Sequence, residues 1–390
     1  MGDPHVSGEA ARAFELVLVG GGLQAGLVVL GVLAYRPDAR LAIVEADPAL
    51  GGNHTWSVSP GDLPASARAW IEPLVVHAWP RYDVMFPGLR RTLDVPYCTI
   101  TSERFARVVS ESVARSSALA AYLGRRAVHL DEHEVALNDG TTLRAELVID
   151  ARGPDPEART GCGFQKFLGL ELEVDRPHGC TRPIIMDATV AQHGGFRFFY
   201  VLPLEPRRLL VEDTCFSRSA HLDRSAARAA VLDYAGRFGR VTRVLRQELG
   251  VLPMPWEGDL DAPVRSPLVA GYRGGWFHPA TGYSLPVAAR LACFIAERSP
   301  REVLGRSLMR LHQSHRAQVR YAHWLNRLLF HCFAPQDMRN VFERFYALPA
   351  EVIHRFLACS TTWRDRARII AGLPPRGFSL RGAFAPVADT

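Results

Sequence analysis

The chain has 390 residues, of which 48% are hydrophobic and 22% charged, a composition typical of a globular protein rather than a disordered one. Its formal net charge of +6 is carried by arginine, since Lys166 is the only lysine. The sequence contains no dense basic run with interleaved aromatic residues, which is the pattern that would indicate nucleic-acid binding. The seven cysteines are scattered and include no C-x-x-C pair, so they predict reduced thiols in the cytoplasm, and neither a disulfide framework nor a metal site.

The first predicted elements form a βαβ unit. Residues 1–13 are predicted to be a flexible leader, and an apolar strand begins at Leu16. The glycine turn Gly20–Gly26 (GGGLQAG) follows, then an uncharged helix, then a strand that ends at Glu45. The uncharged run from Leu16 to Tyr35 also fits a membrane span, but its three early glycines and the strand after it favour a buried unit.

This order of elements is typical of dinucleotide binding. Gly20 permits the tight turn, Gly22 lets the backbone approach a pyrophosphate, and Ala25 keeps the helix close to the strand. The first turn of the helix offers unpaired N–H groups to the phosphates. Glu45 stands where an acid accepts a hydrogen bond from the adenosine ribose.

The next elements return to the nucleotide sheet. A strand at 97–101 leads into a helix for which Ser102 is the predicted N-cap. Residues 128–148 alternate as a hairpin that turns at 138–140, and 147–153 is a buried strand ending in a turn.

The second half of the chain predicts a mostly antiparallel sheet and then helices. Strand patterns occur at 170–174, 196–202 and 209–212, and residues 221–249 are predicted to be helical. A glycine-rich loop from Gly271 leads into a helix that ends at Ala296. Residues 301–360 are predicted to form several amphipathic helices, and a loop-like tail follows from Gly372.

Two adjacent acids end the strand at 209–212. Because side chains alternate along a strand, only one of Glu212 and Asp213 can face a cavity under the sheet. Burial there would raise its pKa and make it a general acid near neutral pH. The alternative, that both acids cap a turn at the strand end, is equally open.

A second glycine- and aromatic-rich segment, Gly274–Ser284, precedes a helix. Thr281 and its neighbouring glycines at that N-terminus predict a second anion or flavin-edge cradle, with a packing turn as the alternative. His278 is a catalytic candidate, although a lone histidine beside proline is more often structural. The many aromatic residues fit a core, and their π faces would also stabilise a carbocation.

At these motifs the chain resembles the flavin-dependent bacterial lycopene β-cyclases of the lycopene cyclase family, over residues 14–360. Their order and spacing carry the resemblance more than any single motif. The matching segments are 51–57 (GGNHTWS), 96–105 (PYCTITSERF), 148–153 (VIDARG), 164–167 (FQKF), 186–190 (MDATV), 210–214 (LVEDT) and 278–284 (HPATGYS). The chain departs from the family pattern at 193–195 (HGG), where an acid is common before the aromatic strand.

The resemblance implies a non-redox isomerase of carotenoid biosynthesis. FAD would act in its reduced form, with NADPH as reductant, and the ends of lycopene would become the β-ionone rings of β-carotene by way of γ-carotene. The essential acid of the family motif is Glu212 here, with Asp213 and Asp187 as supporting groups. Glu212 would protonate a terminal double bond, and loss of the C6 proton would follow ring closure.

The resemblance also implies the residues that hold cofactor and substrate. The expected substrate contacts are Phe196, Phe198, Tyr200 and Trp276. The expected cofactor-binding residues are Gly20, Gly22, Leu23, Ala25, Gly26, Glu45, Gly52, Trp56, Arg104, Asp150, His278, Pro279, Thr281, Gly282 and Tyr283.

We therefore predict an α/β fold with a Rossmann-type FAD-binding domain, an antiparallel-sheet substrate domain and a helical C-terminal region. The FAD-binding domain is discontinuous, at 14–160 and 265–300, and the substrate-binding sheet domain spans 161–264. Residues 301–372 form a helical substrate-tunnel and membrane-docking region, and 373–390 a tail.

Lycopene is dissolved in membranes, so the enzyme is expected in the cytoplasm, bound peripherally to the inner face of the cell membrane. The docking candidates are apolar and basic residues of the C-terminal helices: Leu325, Leu328, Leu329, Phe330 and Phe333, with Arg327 and Arg339. The alternative is that these helices pack on the protein's own core. Alternative functions are a flavin monooxygenase or desaturase acting on a carotenoid or other apolar substrate, and a carotenoid carrier. A buried acid at Glu212 favours the isomerase.

Overall fold

The computed structural model describes residues 13–153, 161–258 and 266–379. The predicted leader therefore lies outside the described residues except at Ala13, as does the tail beyond 379. The strands are β1 (Ala13–Val19), β2 (Leu41–Glu45), β3 (Thr55–Val58), β4 (His77–Trp79), β5 (Tyr82–Met85), β6 (Arg90–Leu93), β7 (Tyr97–Thr101), β8 (Leu119–Leu123), β9 (Ala127–Leu130), β10 (Glu134–Leu137), β11 (Thr142–Asp150), β12 (Cys162–Val174), β13 (Ile184–Asp187), β14 (Phe196–Glu205), β15 (Arg208–Ser217), β16 (Val241–Pro255) and β17 (Leu268–Val269).

Helices connect and cover these strands. They are α1 (Leu23–Tyr35), α2 (Arg68–Ile71), α3 (Ser102–Arg115), α4 (Arg224–Ala235), α5 (Leu285–Ala296), α6 (Pro300–Val303), α7 (Arg306–Cys332), α8 (Met338–Tyr346), α9 (Ala350–Leu357) and α10 (Trp363–Ile370), with 3-10 turns at Pro60–Asp62, Ala65–Ala67, Glu72–Leu74 and Pro335–Asp337.

The first sheet has the order β8-β2-β1-β11-β10-β9, with β17 also paired to β11. Strands β8, β2, β1, β11 and β17 run parallel to one another, so their carboxyl ends meet at one edge of the sheet. The predicted hairpin is confirmed, since β10 and β11 are antiparallel and Gly140 turns between them with a φ of +88°. This is the expected Rossmann-type sheet.

The uncharged helix α1 is buried within the protein. Leu23–Val32 are all buried, between the first sheet and helices α3 and α5. The helix is apolar all round because protein covers all of its faces. The prediction of a buried βαβ unit over a membrane span is therefore confirmed. Among the described residues, no helix combines the length and apolarity needed to cross a bilayer.

The second sheet is mostly antiparallel, in the order β16-β12-β15-β14-β13-β5-β6. Helix α4 packs on one face through an apolar cluster that includes Phe199 and Tyr234. The other face carries Phe198 and Phe216 and meets the C-terminal helices. Strands β5 and β6 come from the segment that the sequence-based division assigns to the FAD-binding domain.

A small third sheet, β3-β7-β4, lies beside the second one, and a hydroxyl contact links β3 to β14. Two predictions about local elements are wrong. The N-cap of α3 is Thr101, whose hydroxyl accepts from the Arg104 amide, and not Ser102. Of residues 221–249, only Arg224–Ala235 are helical, while β16 begins at Val241 because that segment pairs along the whole of β12.

Candidate functional site

A single large cavity runs from the carboxyl edge of the first sheet to the inner face of the second sheet. Its volume is about 1290 Å³, above the ~300–1,000 Å³ common for one small-molecule site. It is lined at one end by the glycine turn, further along by Gly52, Trp56 and Glu212, and at the far end by the C-terminal helices. The space suits two ligands that meet in the middle.

The glycine turn forms the first end of the cavity as predicted. Gly20, Gly22 and Leu23 line it at the start of α1. Gly20 has a φ of +106°, and a Cβ there would stand 2.6 Å from the Ala151 carbonyl oxygen, so only glycine fits. At Gly22 a Cβ would meet no atom within 4 Å, which leaves the helix N-terminus open to a phosphate.

Glu45 lies at the end of β2 and lines the same end of the cavity. One of its carboxylate oxygens accepts from the Gly21 amide and the other from the Asp47 amide, at 2.8 Å. Glu45 therefore fixes the glycine turn to the neighbouring strand as well as facing the cavity. Arg125, Arg126 and Arg152 line this end too and bring positive charge.

A second helix N-terminus meets the middle of the cavity. Thr281, Gly282 and Tyr283 line it just before α5, with Gly282 at a φ of +67°. Burial lowers the pKa of the nearby His278 to about 3, so its ring is neutral. His278 Nδ1 accepts from the Ala280 amide at 3.1 Å, and the side chain does not line the cavity. These contacts are those of a histidine that shapes the loop.

Several other expected cofactor contacts lie behind the cavity wall. Ala25 and Gly26 pack within the core around α1, and Arg104 Nε donates to the Pro73 carbonyl at 2.7 Å. The Pro279 carbonyl accepts from Asn326 Nδ2 at 2.9 Å. Within the described residues, the four expected contacts Ala25, Gly26, Arg104 and Pro279 do not line the cavity.

Asp150 ends β11 and is also buried behind the wall. Its carboxylate binds the Arg152 guanidinium through two contacts of 2.8 Å. Burial acts to raise the pKa of Asp150, but the hydrogen bonds and charges of Arg152 and Arg273 outweigh it and lower that pKa. Asp150 thereby orients Arg152, which does line the cavity.

Glu212 lies on β15 with its side chain in the cavity wall. Thr214 Oγ1 donates to Glu212 Oε1 at 2.6 Å. Burial, reinforced by the charges of Glu248 and Asp213 and opposed by the Thr214 hydroxyl, raises the pKa of Glu212 to about 8. A carboxyl group in this state is protonated at neutral pH and can act as a general acid.

Asp213 and Asp187 lie on the opposite face of the same sheet. Asp213 pairs with Arg197 through two contacts of 2.8 Å. Asp187 accepts from the Tyr234 hydroxyl at 2.7 Å and from Thr189. The alternation of side chains thus separates both acids from Glu212, as the sequence predicted for Asp213. The structure does not bring them to the cavity.

A chain of hydroxyl groups lies beside Glu212. Tyr200, which is opposite Glu212 in the β14–β15 register, is 2.8 Å from Ser57 Oγ through its hydroxyl oxygen and 3.2 Å from the Tyr97 hydroxyl. Burial raises the pKa of Tyr97 to about 12 and holds that of Tyr200 well above its ordinary value, so both stay neutral. Their hydroxyl groups are engaged with one another, which limits their nucleophilicity.

The predicted aromatic floor is largely present. Phe198, Tyr200 and Trp276 line the cavity. Phe196 does not, because its ring stacks on Phe342 at a centroid distance of 4.0 Å. Leu325, Leu328, Leu329 and Phe333 of the expected docking set also line the cavity, while Phe330 is buried against Trp256. These side chains therefore form the tunnel wall.

Sequence reasoning missed three groups that line the cavity. They are Glu248 on β16, Gln165 on β12, and the cluster of Asp62, Tyr82 and His354. Gln165 lies inside the segment 164–167 already noted for its resemblance, which was the available signal. Glu248 lies in the stretch predicted to be helical, and the third cluster unites residues far apart in the chain.

The sequence is similar to known proteins over nearly its whole length. The family model described as Lycopene cyclase protein matches residues 15–381. The lycopene beta-cyclase of Pantoea ananas is 42% identical over 371 residues, covering 93% of this chain and 95% of that protein. That of Pseudescherichia vulneris is 42% identical over 373 residues, covering 93% and 94%.

Solved structures share the fold at low sequence identity. A geranylgeranyl bacteriochlorophyll reductase-like protein from Thermoplasma acidophilum superposes with a TM-score of 0.62 at 12% identity, covering 92% of this chain and 96% of that one. A probable FAD-dependent monooxygenase from Pseudomonas aeruginosa gives a TM-score of 0.58 at 17% identity, covering 86% and 100%. These similarities confirm the predicted fold class.

Proposed function

The chain belongs to the lycopene cyclase family, and on that premise we propose that it converts the linear ends of lycopene into β-ionone rings with Glu212 as proton donor. The observation that carries the proposal is a carboxyl group with a pKa of about 8 in the wall of a large, mainly apolar cavity. A hydroxylase or desaturase has no need of a protonated acid at this place.

The reaction is an acid-catalysed isomerisation. Glu212 donates its proton to C2 of the terminal double bond, which leaves a tertiary cation at C1. The C5=C6 double bond attacks C1, so that the C1–C6 bond forms and the cation moves to C5. Transfer of the C6 proton to the carboxylate that Glu212 has become completes the ring and restores the acid, so substrate and product have the same composition.

The cavity wall protects the cation on this path. The rings of Tyr97, Tyr200 and Phe198 line the space next to Glu212 and offer π faces to positive charge. Water would trap the cation as an alcohol, and the apolar side chains of the C-terminal helices, among them Leu328 and Leu329, exclude it.

The first end of the cavity fits FAD. Gly22 leaves room for a pyrophosphate at the N-terminus of α1, and Thr281 and Tyr283 meet the cavity at α5. Gln24 and Gln165 also line the cavity, and within the described residues neither side-chain oxygen has a hydrogen-bond partner. N–H groups of a flavin ring would satisfy such acceptors. Reduced flavin held by these residues would supply negative charge that stabilises the cation, and the resemblance implies NADPH as the reductant.

We further propose that the protein takes lycopene from a membrane surface, on the cytoplasmic side. Trp324 and Ile370 both line the cavity and are 43% and 50% exposed, so they mark its mouth. Arg327 and Arg368 are also exposed, and they lie on α7 and α10, the helices that carry Trp324 and Ile370. An apolar mouth beside basic side chains fits a bilayer that contains anionic lipid.

The proposal is tested with lycopene in liposomes, FAD and NADPH under anoxic conditions. The expected product is isomeric with lycopene and has cyclic ends. Glu212→Gln removes the proton donor, so we expect turnover to fall by a factor of at least ~100 while FAD remains bound, as measured by its visible absorption.

The matched control is Glu173→Gln. Glu173 lies on β12 of the same sheet, pairs with Arg243 at 3.2 Å and does not line the cavity, so its loss leaves turnover unchanged. A product that gains oxygen or loses hydrogen would overturn the isomerase, and full turnover by the Glu212→Gln protein would exclude that residue as the acid.

A further inference from the structure

A second buried glutamate faces the cavity across one strand from Glu212. In the second sheet, Gly169 of β12 is paired with Glu212 on one side and with Glu248 of β16 on the other. Because residues directly opposite one another point to the same face, both carboxyl side chains stand on the cavity side. Both line the cavity.

Gly169 leaves the space between the two acids free. A Cβ at this position would stand 3.1 Å from Glu248 Cγ and 3.5 Å from Glu212 Cβ. Glycine inside a strand is unfavourable unless something approaches closely. Here the side chain of Glu248 lies over the glycine, toward Glu212.

The two acids differ in what binds them. Glu248 Oε2 accepts from Arg246 Nη1 at 2.9 Å and from Thr55 Oγ1 at 3.0 Å. Arg246 is itself fixed by Glu171 of β12 at 3.1 Å. Within the described residues, Glu212 accepts a hydrogen bond from the neutral hydroxyl of Thr214.

This difference decides which of the two carboxyl groups carries the negative charge. Two carboxyl groups buried in one apolar cavity cannot both ionise cheaply, so one of them keeps a proton. A guanidinium stabilises the ionised form, and it contacts Glu248. Burial raises the pKa of Glu248 on balance, but Arg246 and Thr55 act against this rise, and Glu212 has no cation in hydrogen-bond contact to do the same within the described residues. The negative charge therefore stays on Glu248.

We propose that Glu248 is a positioning residue for the reaction: its negative charge, fixed by Arg246 and Thr55, keeps the reacting proton on Glu212. This inference rests on the proposed function, because it takes Glu212 as the acid. It also gives a role to the cluster of Arg246, Glu171 and Thr55, which joins β3 to the second sheet beside Glu248.

Other groups near Glu212 do not supply this charge. Asp213 is on the far face and paired with Arg197, while Tyr97 and Tyr200 on β7 and β14 are neutral. Around Glu248, the further charged groups are Glu171 on β12 and Glu103 on α3, and both contact Arg246.

The test compares the pH dependence of kcat/KM in the parent and in Glu248→Gln, with lycopene in liposomes and the flavin reduced. The parent loses activity as pH rises through the pKa of Glu212 at about 8. Without the neighbouring charge Glu212 ionises more easily, so we expect this alkaline limb to move down by about one pH unit or more. Activity well below the limb is retained, since the donor is still protonated there.

The matched control is Glu173→Gln, which removes a carboxylate of the same sheet that pairs with Arg243, away from both Arg246 and the cavity wall. Its alkaline limb is expected to coincide with that of the parent. An unchanged limb in Glu248→Gln, an equal shift in the control, or loss of activity at every pH in a folded, FAD-bound Glu248→Gln protein would each overturn the proposal.

A second measurement needs no change at Glu248. Carboxyl resonances of 13C-labelled glutamate are followed through a pH titration, and Glu212 is identified by its absence in Glu212→Gln. We expect Glu212 protonated and Glu248 ionised at neutral pH, and the reverse order would refute the inference. If Glu212→Gln keeps its turnover, the proposed function fails, whereas a static alkaline limb in Glu248→Gln defeats only the role of Glu248.

Discussion

Strand geometry places the carboxyl group of Glu212 in the cavity wall, and its surroundings keep that group protonated at neutral pH. Asp213, one residue later, has the same chemistry but pairs with Arg197 on the other face. Adjacent acids therefore differ in function because a strand turns successive side chains to opposite sides. Burial and the nearby Glu248 then raise the pKa of Glu212 to about 8.

This raised pKa has a consequence for stability. The ordinary pKa of 4.5 applies to the unfolded chain, so between that value and about 8 the folded protein holds a proton that the unfolded chain has lost. The free energy of unfolding contributed by Glu212 therefore falls as pH rises through this window. Glu212→Gln does not titrate, and its stability relative to the parent should rise by up to ~1.4 kcal/mol per pH unit.

Urea denaturation of both proteins at several pH values between 5 and 9 measures this difference. Glu173→Gln again serves as the control, because its side chain is half-buried beside Arg243 and away from the cavity. Parallel stability curves for Glu212→Gln and the parent would show that the carboxyl group of Glu212 titrates normally.

For single residues, the sequence predicts one of the two cavity acids, Glu212, and misses the other, Glu248. Alternation allows only one of Glu212 and Asp213 to face a cavity, and the family motif in which they lie selects Glu212. Glu248 carries no such signal, because its opposition to Gly169 depends on the register of β16 against β12. That register is set by pairing between segments about 80 residues apart, which local periodicity does not contain.

Among the elements, α1 shows how a glycine motif serves packing as well as binding. Gly26 was predicted to contact the cofactor, but it faces the Phe105 ring of α3, which occupies the place of a side chain. The close approach of the two helices sets the position of the glycine turn at the N-terminus of α1.

Gly26→Ala is expected to reduce the free energy of unfolding by about 1–3 kcal/mol, because the new methyl group overlaps the Phe105 ring. Thermal or urea denaturation measures the change. The control is Gly31→Ala in the same helix, where a Cβ would meet Ala296 Cβ at an ordinary 3.4 Å. That variant should be neutral or more stable by ~0.5–1 kcal/mol, and an equal loss in both would contradict the packing argument.

Local sequence patterns predict the elements whose conformation depends on residues close to them in the chain. The βαβ unit, the hairpin at β10–β11 and helix α5 all appear where the sequence places them. The stretch 236–249 does not, because it follows directly on the alanine-rich helix α4 and only pairing with β12 makes β16 a strand. Likewise, nothing local shows that β5 and β6 leave the first domain to extend the second sheet.

For the whole molecule, the two sheets and the C-terminal helices together form one continuous space. The glycine turn lies at one end and Trp324 and Ile370 at the other, with Glu212 on the wall between them. A linear apolar substrate can enter at the helical end and present its tip to Glu212 while its remainder stays in the mouth. This arrangement requires the mouth to face the phase in which the substrate is dissolved.

We therefore expect the mouth to bind vesicles that contain anionic lipid. Trp324 is 43% exposed, and Leu373, next to cavity-lining Gly372 and Pro374, is 88% exposed. Replacing both by glutamine removes apolar area that would enter the interface, so co-sedimentation with vesicles should weaken about tenfold. Val128→Gln is the control, since Val128 is 64% exposed on β9 at the distant edge of the first sheet. Equal loss in the control, or none in the double variant, would place the docking surface elsewhere.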